Sequence, residues 1–373
     1  MTKIVCHIGD HKTGSTAIQS TLANGSFTVP DTSLVYARTC RPERGIAHFQ
    51  FSGALEAGRR KAVAKFLAAL ATEIAQTKPD VIVLSSEGFE GQKPEEMKDA
   101  LTRGLADVDH ELQIIAYVRP HAARILSSFA ERVKIGLFTG TLEEFSQRSK
   151  RTGRFKYVPR FQGWRDAFGA SFVLRPMVRD HLRDRDVVSD FLNIALDGAD
   201  YSLQAAPSAN ESLSLQDLAM VRALQDRLRN KDGATVEQRT EIRSMQHNIG
   251  RNLAHLLRPN LDGTPSKLKL HQTIADDIAT FYEYDAMELD EMFFNGAPMA
   301  TELRNAPNDA LAEPQSLELD ALFSLSEQRL LRIWLDLTAT MINGMEPAAV
   351  SKALQAKGGA DEDGDDDGKA DDA

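Results

Sequence analysis

The sequence predicts an α/β fold, with a parallel sheet flanked by helices and a largely helical C-terminal region. Four apolar runs of strand length alternate with segments in which apolar residues have helical spacing. Such alternation is typical of parallel sheets with helical crossovers, and ligands bind such sheets beyond the carboxyl ends of the strands. The predicted strands are Ile4–Ile8, Val81–Leu84, Leu112–Val118 and Ser171–Leu174.

Helical spacing marks the segments between and beyond these strands. Apolar residues recur on one face of Arg59–Thr77 and again after Pro120, a residue that suits the first turn of a helix. Beyond about residue 210 the pattern becomes helical, most clearly in Leu215–Leu228 and Ile274–Phe294. These segments predict helices that cover the sheet and a helical C-terminal region.

The domain boundaries follow from composition. Residues 1–300 are expected to form the α/β domain, and residues 301–317, which contain several Asn, Asp and Pro residues, a linker. Residues 318–345 are expected to form a C-terminal helix. A disordered acidic tail is predicted over residues 346–373, because the acidic end of the chain lacks apolar side chains larger than Ala.

The predicted C-terminal helix is amphipathic. Ser324 and Glu327 have the spacing of a capping box, and Asn343-Gly344 is expected to end the helix. We expect its apolar face to pack on the same domain rather than on a partner. That face carries Leu330, Trp334, Leu337 and Met341.

Composition and charge exclude several classes of protein. Of the 373 residues, 42% are hydrophobic and 26% are charged, which is typical of globular proteins. The net charge of −10 argues against nucleic-acid binding. No apolar run is long enough for a transmembrane segment, and no signal-peptide pattern is present. Two cysteines, Cys6 and Cys40, cannot form a disulfide framework, so we expect a cytoplasmic protein.

The segment after the first predicted strand indicates a phosphate-binding loop. It runs from Gly9 to Thr16 and leads into a helix, whose N-terminal N–H groups attract anions. A kinase-type loop has a lysine directly after its second glycine. Here Ser15 occupies that position, and Lys12 comes two residues before Gly14. The displaced lysine argues against transfer of a γ-phosphate from a nucleoside triphosphate.

Two motifs together resemble those of bacterial-type sulfotransferases, whose donor is 3′-phosphoadenosine 5′-phosphosulfate (PAPS). Lys12-Thr13-Gly14-Ser15-Thr16 is similar to the family's 5′-phosphosulfate loop, and Arg119 with Ser127 eight residues on is similar to its 3′-phosphate site. The resemblance covers about residues 3–200 and implies a P-loop-type sheet. Weaker similarity is carried by Trp164-x-x-x-Phe168-Gly169 and Asp190-Phe191-Leu192.

The resemblance implies a role for each of these residues. Lys12 would stabilise the charge that develops on the bridging oxygen of the donor. Arg119 would bind the 3′-phosphate together with Ser127, which the interval favours over Ser128. No metal is implied, and the Cys and His residues lack the spacing of a metal site. The residues expected to hold the 5′-phosphate are Lys12, Thr13, Gly14, Ser15 and Thr16.

Sulfuryl transfer also needs a base that takes the proton of the acceptor. Glu87 is the first candidate because it follows the strand Val81–Leu84, and His48 is the alternative. His7 alternates with apolar strand residues and is expected in the core. His11 lies in the loop, directly before Lys12, and is expected to meet either phosphate or solvent.

These observations predict a PAPS-dependent sulfotransferase. Its acceptor is expected to be a hydroxyl group, or an amino group, of a carbohydrate, glycolipid or related small molecule, because bacterial-type members commonly modify these. A P-loop kinase of a small molecule and a noncatalytic nucleotide-binding scaffold are the alternatives. The sequence leaves the oligomeric state open.

Overall fold

The computed structural model contains a central sheet of five parallel strands. It describes residues 1–9, 12–42, 45–204, 212–228, 235–257 and 266–357. Within these residues the strands are β1 Thr2–Ile8, β2 Phe27–Thr28, β3 Leu34–Tyr36, β4 Val81–Ser86, β5 His110–Val118, β6 Phe172–Pro176 and β7 Ser202–Leu203. The parallel sheet has the order β3-β4-β1-β5-β6, and β2 pairs with β7 in a small antiparallel sheet.

Helices follow the strands in the α/β part and follow one another in the C-terminal region. The first group is α1 Ser15–Asn24, α2 Phe49–Glu56, α3 Arg60–Thr77, α4 Pro94–Gly104, α5 His121–Lys134, α6 Leu142–Thr152, α7 Val158–Phe168 and α8 Val187–Ala195. The second group is α9 Leu215–Leu228, α10 Val236–Leu257, α11 Gln272–Phe293, α12 Pro298–Asn305, α13 Leu319–Leu322, α14 Leu325–Asn343 and α15 Pro347–Lys357. Across the described part of the chain, no helix has both the length and the apolar composition needed to cross a bilayer.

The predicted α/β class, with a parallel sheet flanked by helices and a helical C-terminal region, is confirmed, and all four predicted strands are present. Their bounds differ from the prediction by no more than two residues at either end. Strand β3, which pairs with β4 along its three residues, was not predicted. A strand of that length is too short to show a periodicity.

The central strand β1 is enclosed from both sides. Ile4, Cys6 and Ile8 pack in a cluster with side chains of α3, α4, α5 and α7, whereas Val5 packs with side chains of α1 and α8. Alternate side chains of a strand point to opposite faces, so helices cover both faces of the sheet. The loop after β1 therefore starts from a firmly packed strand.

The prediction of a linker over residues 301–317 is wrong. The segment begins within α12, which packs on α11, and the Leu303 side chain is only 1% exposed. The Asp290 carboxylate of α11 accepts hydrogen bonds from the backbone N–H groups of Met299 and Ala300, at 2.9 and 2.8 Å. The Asn, Asp and Pro residues of this segment lie in and between short helical elements of a packed structure.

The C-terminal helix has the predicted capping box, but its predicted apolar face does not pack on the domain. Ser324 and Glu327 form the reciprocal hydrogen bonds of the box at the start of α14. The side of α14 that packs against α9 carries Leu335, Ala339 and Ile342 instead. Four side chains of the predicted face are between 49% and 63% exposed, namely Leu330, Trp334, Leu337 and Met341.

The predicted disordered tail over residues 346–373 begins with a helix. Residues 347–357 form α15, which packs against α10. Val350 of α15 is 9% exposed and joins the cluster that contains Ile242 and Met245. The prediction of disorder is therefore wrong for residues 347–357, and residues 358–373 lie outside the described part of the chain.

Candidate functional site

The carboxyl ends of β1, β4 and β5 lie side by side, because these strands are parallel neighbours in the sheet. The backbone N–H of Gly9 donates to the carbonyl oxygen of Ser86 at 3.4 Å, which joins the loop after β1 to the end of β4. Arg119, directly after β5, donates from Nη1 to the carbonyl oxygen of Lys12 at 3.2 Å. Three of the predicted site residues, Lys12, Arg119 and Glu87, thus lie at one edge of the sheet.

The N-cap residue of α1 is Gly14, which has no side chain to cap the first N–H groups of the helix. Gly14 has a positive φ of 84°, and a Cβ there would lie 2.7 Å from Cγ1 of Val187, so the position requires glycine. Ser15 is 2% exposed, and its Oγ has no hydrogen-bond partner among the described residues. A buried hydroxyl beside the first N–H groups of a helix suits an anionic ligand.

The other loop residues differ in their exposure. Thr13 is fully buried, whereas Thr16 is partly exposed in the first turn of α1. Of these two threonines, only Thr16 can therefore present its hydroxyl to a ligand without a change in packing. Asp10 and His11 lie outside the described residues, so the prediction for His11 stays a prediction.

Lys12 is held by helix α5. Its Nζ lies 2.9 Å from a carboxylate oxygen of Glu131, and Nζ of Lys134 lies 2.6 Å from the same oxygen. The Lys12 side chain is 32% exposed, so solvent reaches the loop cation. Glu131 was not predicted as a site residue, because it belongs to no motif and lies far from Lys12 along the chain. An anionic ligand that recruits Lys12 would compete with this carboxylate.

Arg119 is a half-buried cation without a carboxylate partner in the described part of the chain. Burial and the nearby positive charge of Arg124 lower the pKa of its guanidinium group. The Tyr157 hydroxyl donates to the Arg119 carbonyl oxygen at 2.9 Å and fixes the backbone there. The guanidinium groups of Arg119, after β5, and Arg124, in α5, are close together, and this arrangement favours a ligand with negative charge.

The two serines of α5 differ in what they contact. Ser128 is buried, and its Oγ accepts a hydrogen bond from Nη1 of Arg124 at 2.6 Å. Ser127 is more exposed and donates to the carbonyl oxygen of Arg124 at 3.1 Å, which leaves its oxygen able to accept another bond. Ser127 is thus the more accessible of the two serines, and its role as a ligand residue stays a prediction.

Glu87 follows β4 and lies beside the start of the loop between β1 and α1. It is the first residue of a short 3₁₀ turn after β4 and is 8% exposed. A Cβ placed on Gly9 would lie 3.1 Å from Cγ of Glu87, so the two residues are in close contact. This position puts the carboxylate beside the loop that also carries Lys12.

His48 does not have the environment of a base. Its side chain is fully buried, its Nδ1 accepts from the backbone N–H of Ser85 at 3.0 Å, and its Nε2 donates to the carbonyl oxygen of Ala37 at 2.9 Å. Burial lowers the pKa of His48 to about 4. Because both ring nitrogens bind backbone groups that connect the ends of β3 and β4, His48 has a structural role, and these contacts argue against the predicted catalytic role.

His7 is a core residue, as predicted. It is fully buried, and its Nδ1 lies 2.8 Å from the Ser85 hydroxyl, which also accepts from Nε2 of Gln19 at 3.1 Å. The ring packs edge-on against Tyr117 and Phe191. Burial lowers the pKa of His7 to about 3.

The lowered pKa values of His7 and His48 predict that the protein loses stability in acid. The pKa values of about 3 and about 4 lie below the ordinary value of 6.5, so the unfolded chain binds these protons more readily than the folded one. Their contribution to stability is complete above pH 6.5 and falls as the pH drops towards 4. From about pH 7 to about pH 5, we expect the unfolding free energy to fall by about 2 kcal/mol per histidine.

Urea unfolding of the full chain at the two pH values measures this loss. The variant His48→Gln keeps a donor at this position but cannot titrate. Because only His7 of the pair then titrates, the unfolding free energy of the variant should fall by about half as much between pH 7 and pH 5. Equal pH dependence in the variant and the original chain would contradict the assignment.

The segments that carry the weaker resemblance have structural roles. The Trp164 ring is 1% exposed and stacks on Phe168 and Phe172, with centroids 5.6 and 6.3 Å apart. The Asp190 carboxylate accepts hydrogen bonds from the Tyr117 hydroxyl at 2.8 Å and from Arg175 at 2.7 and 3.0 Å. These contacts fix β5, β6 and α8 relative to one another.

The candidate site is therefore a set of cations and helix N–H groups at one edge of the sheet. Among the described residues, no group of three or more His, Cys, Asp or Glu side chains is placed to hold a metal ion. The arrangement suits a ligand with two anionic groups, one at α1 and one at Arg119. Comparisons with protein-family models, with curated proteins and with solved structures find no match for this chain.

Proposed function

We propose that the chain is a sulfotransferase with a P-loop-type site that takes PAPS as its donor. The observation that carries the proposal is the hydrogen bond between Arg119 and the carbonyl oxygen of Lys12. This bond joins the cation at the end of β5 to the loop before α1. The cation and the loop are therefore close enough to bind two anionic groups of one nucleotide. PAPS carries such groups, a 3′-phosphate and a 5′-phosphosulfate.

In the proposed reaction an acceptor oxygen attacks the sulfur of the donor, and the bond between that sulfur and the 5′-phosphate oxygen breaks. The acceptor proton passes to Glu87, and the electron pair of the broken bond stays on the phosphate oxygen. Lys12 and the first N–H groups of α1 stabilise the charge on that oxygen. The contact between Glu87 and Gly9 supports this division of roles, because it keeps base and loop together.

The kinase alternative has less support. Ser15 occupies the position of the kinase lysine, and it is a buried hydroxyl that brings no charge to a γ-phosphate. Lys12 lies on the strand side of Gly14 and pairs with Glu131. The acceptor class, a hydroxyl or amino group of a carbohydrate, glycolipid or related molecule, rests on the resemblance to bacterial-type sulfotransferases.

Calorimetric titration of the full chain tests the proposal with three nucleotides. The first is 3′-phosphoadenosine 5′-phosphate, the product of the donor, and the second is adenosine 5′-phosphate, which differs only by the missing 3′-phosphate. ATP with Mg²⁺ is the third. We expect the first to bind about 100-fold more tightly than the second, because Arg119 forms charge-assisted bonds with the 3′-phosphate. Preferential binding of ATP with Mg²⁺, or no binding of the first nucleotide, would overturn the proposal.

A further inference from the structure

Helix α14 presents a continuous apolar surface to solvent. We call it the α14 patch and define it as six side chains, of which five belong to α14 and one to Met345, two positions beyond the end of the helix. Each of them is between 49% and 63% exposed. They are Leu330, Ile333, Trp334, Leu337, Met341 and Met345.

The α14 patch is distinct from the side of α14 that holds the helix on the domain. Leu335, Ala339 and Ile342 pack with α9 and α10 in one hydrophobic cluster. With 3.6 residues per turn, Leu330, Trp334 and Leu337 project from a different side of α14 than those three residues do. The helix therefore has two apolar sides, of which one packs on the domain and the other is exposed to solvent.

The segments outside the described residues do not have the composition to cover the patch. They are residues 10–11, 43–44, 205–211, 229–234, 258–265 and 358–373. Leu261 and the prolines are their only apolar side chains larger than Ala. An exposed surface made of six large apolar side chains is typical of an interaction site.

Charge disfavours an anionic membrane surface as that partner. The residues of α14 include two acidic and two basic side chains, Glu327, Asp336, Arg329 and Arg332, and therefore have no net charge. The chain as a whole has a net charge of −10. Helices that bind anionic membranes have an excess of Lys and Arg on their polar face, and α14 has none.

The size of the patch matches what a pair of identical surfaces needs. With about 100 Å² of exposed surface for each of the six side chains, the patch presents roughly 600 Å². Two copies then bury about 1,200 Å², which is the lower end of the range for specific protein interfaces. A twofold contact brings the same uncharged surface together from both copies and leaves no charge buried.

We propose that two copies of this chain associate through the α14 patch, with Trp334 and Leu337 at the centre of a twofold interface. This inference does not depend on the proposed sulfotransferase activity. The catalytic residues lie at the carboxyl edge of the sheet, whereas the interface is formed by the C-terminal helical region. Dimer formation is therefore expected with or without nucleotide.

Sedimentation velocity and tryptophan fluorescence test the interface. We expect a mass twice that of the 41.2 kDa chain at high protein concentration, with dissociation on dilution. The chain has two tryptophans, of which Trp164 is 1% exposed and Trp334 is 63% exposed in the single chain. Dilution should therefore shift the emission to longer wavelength as Trp334 becomes exposed, while Trp164 contributes a constant signal.

The variant Leu337→Asp should raise the dimer dissociation constant about 30-fold or more, because it buries an unpaired charge at the interface. Tyr284→Asp is the matched control, since Tyr284 on α11 is 84% exposed and does not belong to the patch. It should leave the dissociation constant unchanged. Circular dichroism of both variants shows whether they fold like the original chain.

Three results would overturn the proposal. One is a mass of 41.2 kDa for the original chain at every concentration, with fluorescence that does not change on dilution. Another is association that Leu337→Asp leaves intact while the variant remains folded. Binding of the monomer to vesicles of neutral phospholipid, lost in Leu337→Asp, would assign the patch to a lipid surface and would also overturn it.

Discussion

The substitution Lys12→Met is expected to slow sulfuryl transfer about 1,000-fold, because it removes the cation that we propose stabilises the departing phosphate oxygen. Methionine keeps the length of the apolar stem, and the Lys12 side chain is partly exposed, so the fold should be preserved. The effect should be larger on kcat than on the KM for PAPS, since the charge on the bridging oxygen develops in the transition state. Release of 3′-phosphoadenosine 5′-phosphate, with an acceptor found by screening carbohydrates and glycolipids, measures both constants.

The contact with Glu131 supplies a control for this experiment. In Lys12→Met the Glu131 carboxylate keeps Lys134 but loses Lys12, so the variant gains negative charge near the donor. The double variant Lys12→Met with Glu131→Gln restores the charge balance without restoring the cation. If Lys12 acts on the leaving group, the double variant stays as slow as the single one. Recovery of the rate in the double variant, or full activity of folded Lys12→Met, would contradict the assigned role.

The sheet and its ligand-binding edge were accessible from the sequence because both depend on local patterns. Buried parallel strands are continuous apolar runs, so Val81–Leu84 and Leu112–Val118 identify β4 and β5 almost to their ends. The polar residues that follow such runs must lie at one edge once the strands are parallel. The proximity of Arg119 to the loop residue Lys12 follows from this rule.

The features that the sequence did not reveal depend on contacts between distant segments. Glu131 reaches Lys12 only because α5 packs with its C-terminal part near the loop after β1. His48 has the same appearance in the sequence whether its ring faces solvent or binds the backbone of Ser85 and Ala37. An isolated polar residue carries no signal that separates a catalytic from a structural role.

The C-terminal region shows the same limit for helices. The spacing of Leu330 and Trp334 correctly indicated an apolar side of α14. Which side packs on the domain is decided by α9 and α10, whose cluster takes up Leu335 and Ala339. Likewise, Asp290 stabilises the start of α12 from a neighbouring helix, so composition alone made residues 301–317 resemble a linker.

The substitution Arg119→Ala is expected to weaken binding of 3′-phosphoadenosine 5′-phosphate about 100-fold and to leave binding of adenosine 5′-phosphate nearly unchanged. The guanidinium group is assigned to the 3′-phosphate, which only the first nucleotide carries. Part of the loss could instead come from the loop, because Arg119 also donates to the carbonyl oxygen of Lys12. The two nucleotides separate these effects, since a disturbed loop would weaken both.

A second variant tests whether the geometry of Arg119 matters as well as its charge. Arg119→Lys keeps the positive charge but loses the planar guanidinium, whose separate nitrogens can bond the Lys12 carbonyl and two phosphate oxygens in a fixed geometry. We expect its preference for 3′-phosphoadenosine 5′-phosphate over adenosine 5′-phosphate to fall between those of Arg119→Ala and the original chain. If Arg119→Ala weakens both nucleotides equally, the residue positions the loop and the 3′-phosphate site lies elsewhere. Selective loss of the 3′-phosphorylated nucleotide fixes the orientation of the donor, with its sulfuryl group directed towards Lys12 and Glu87.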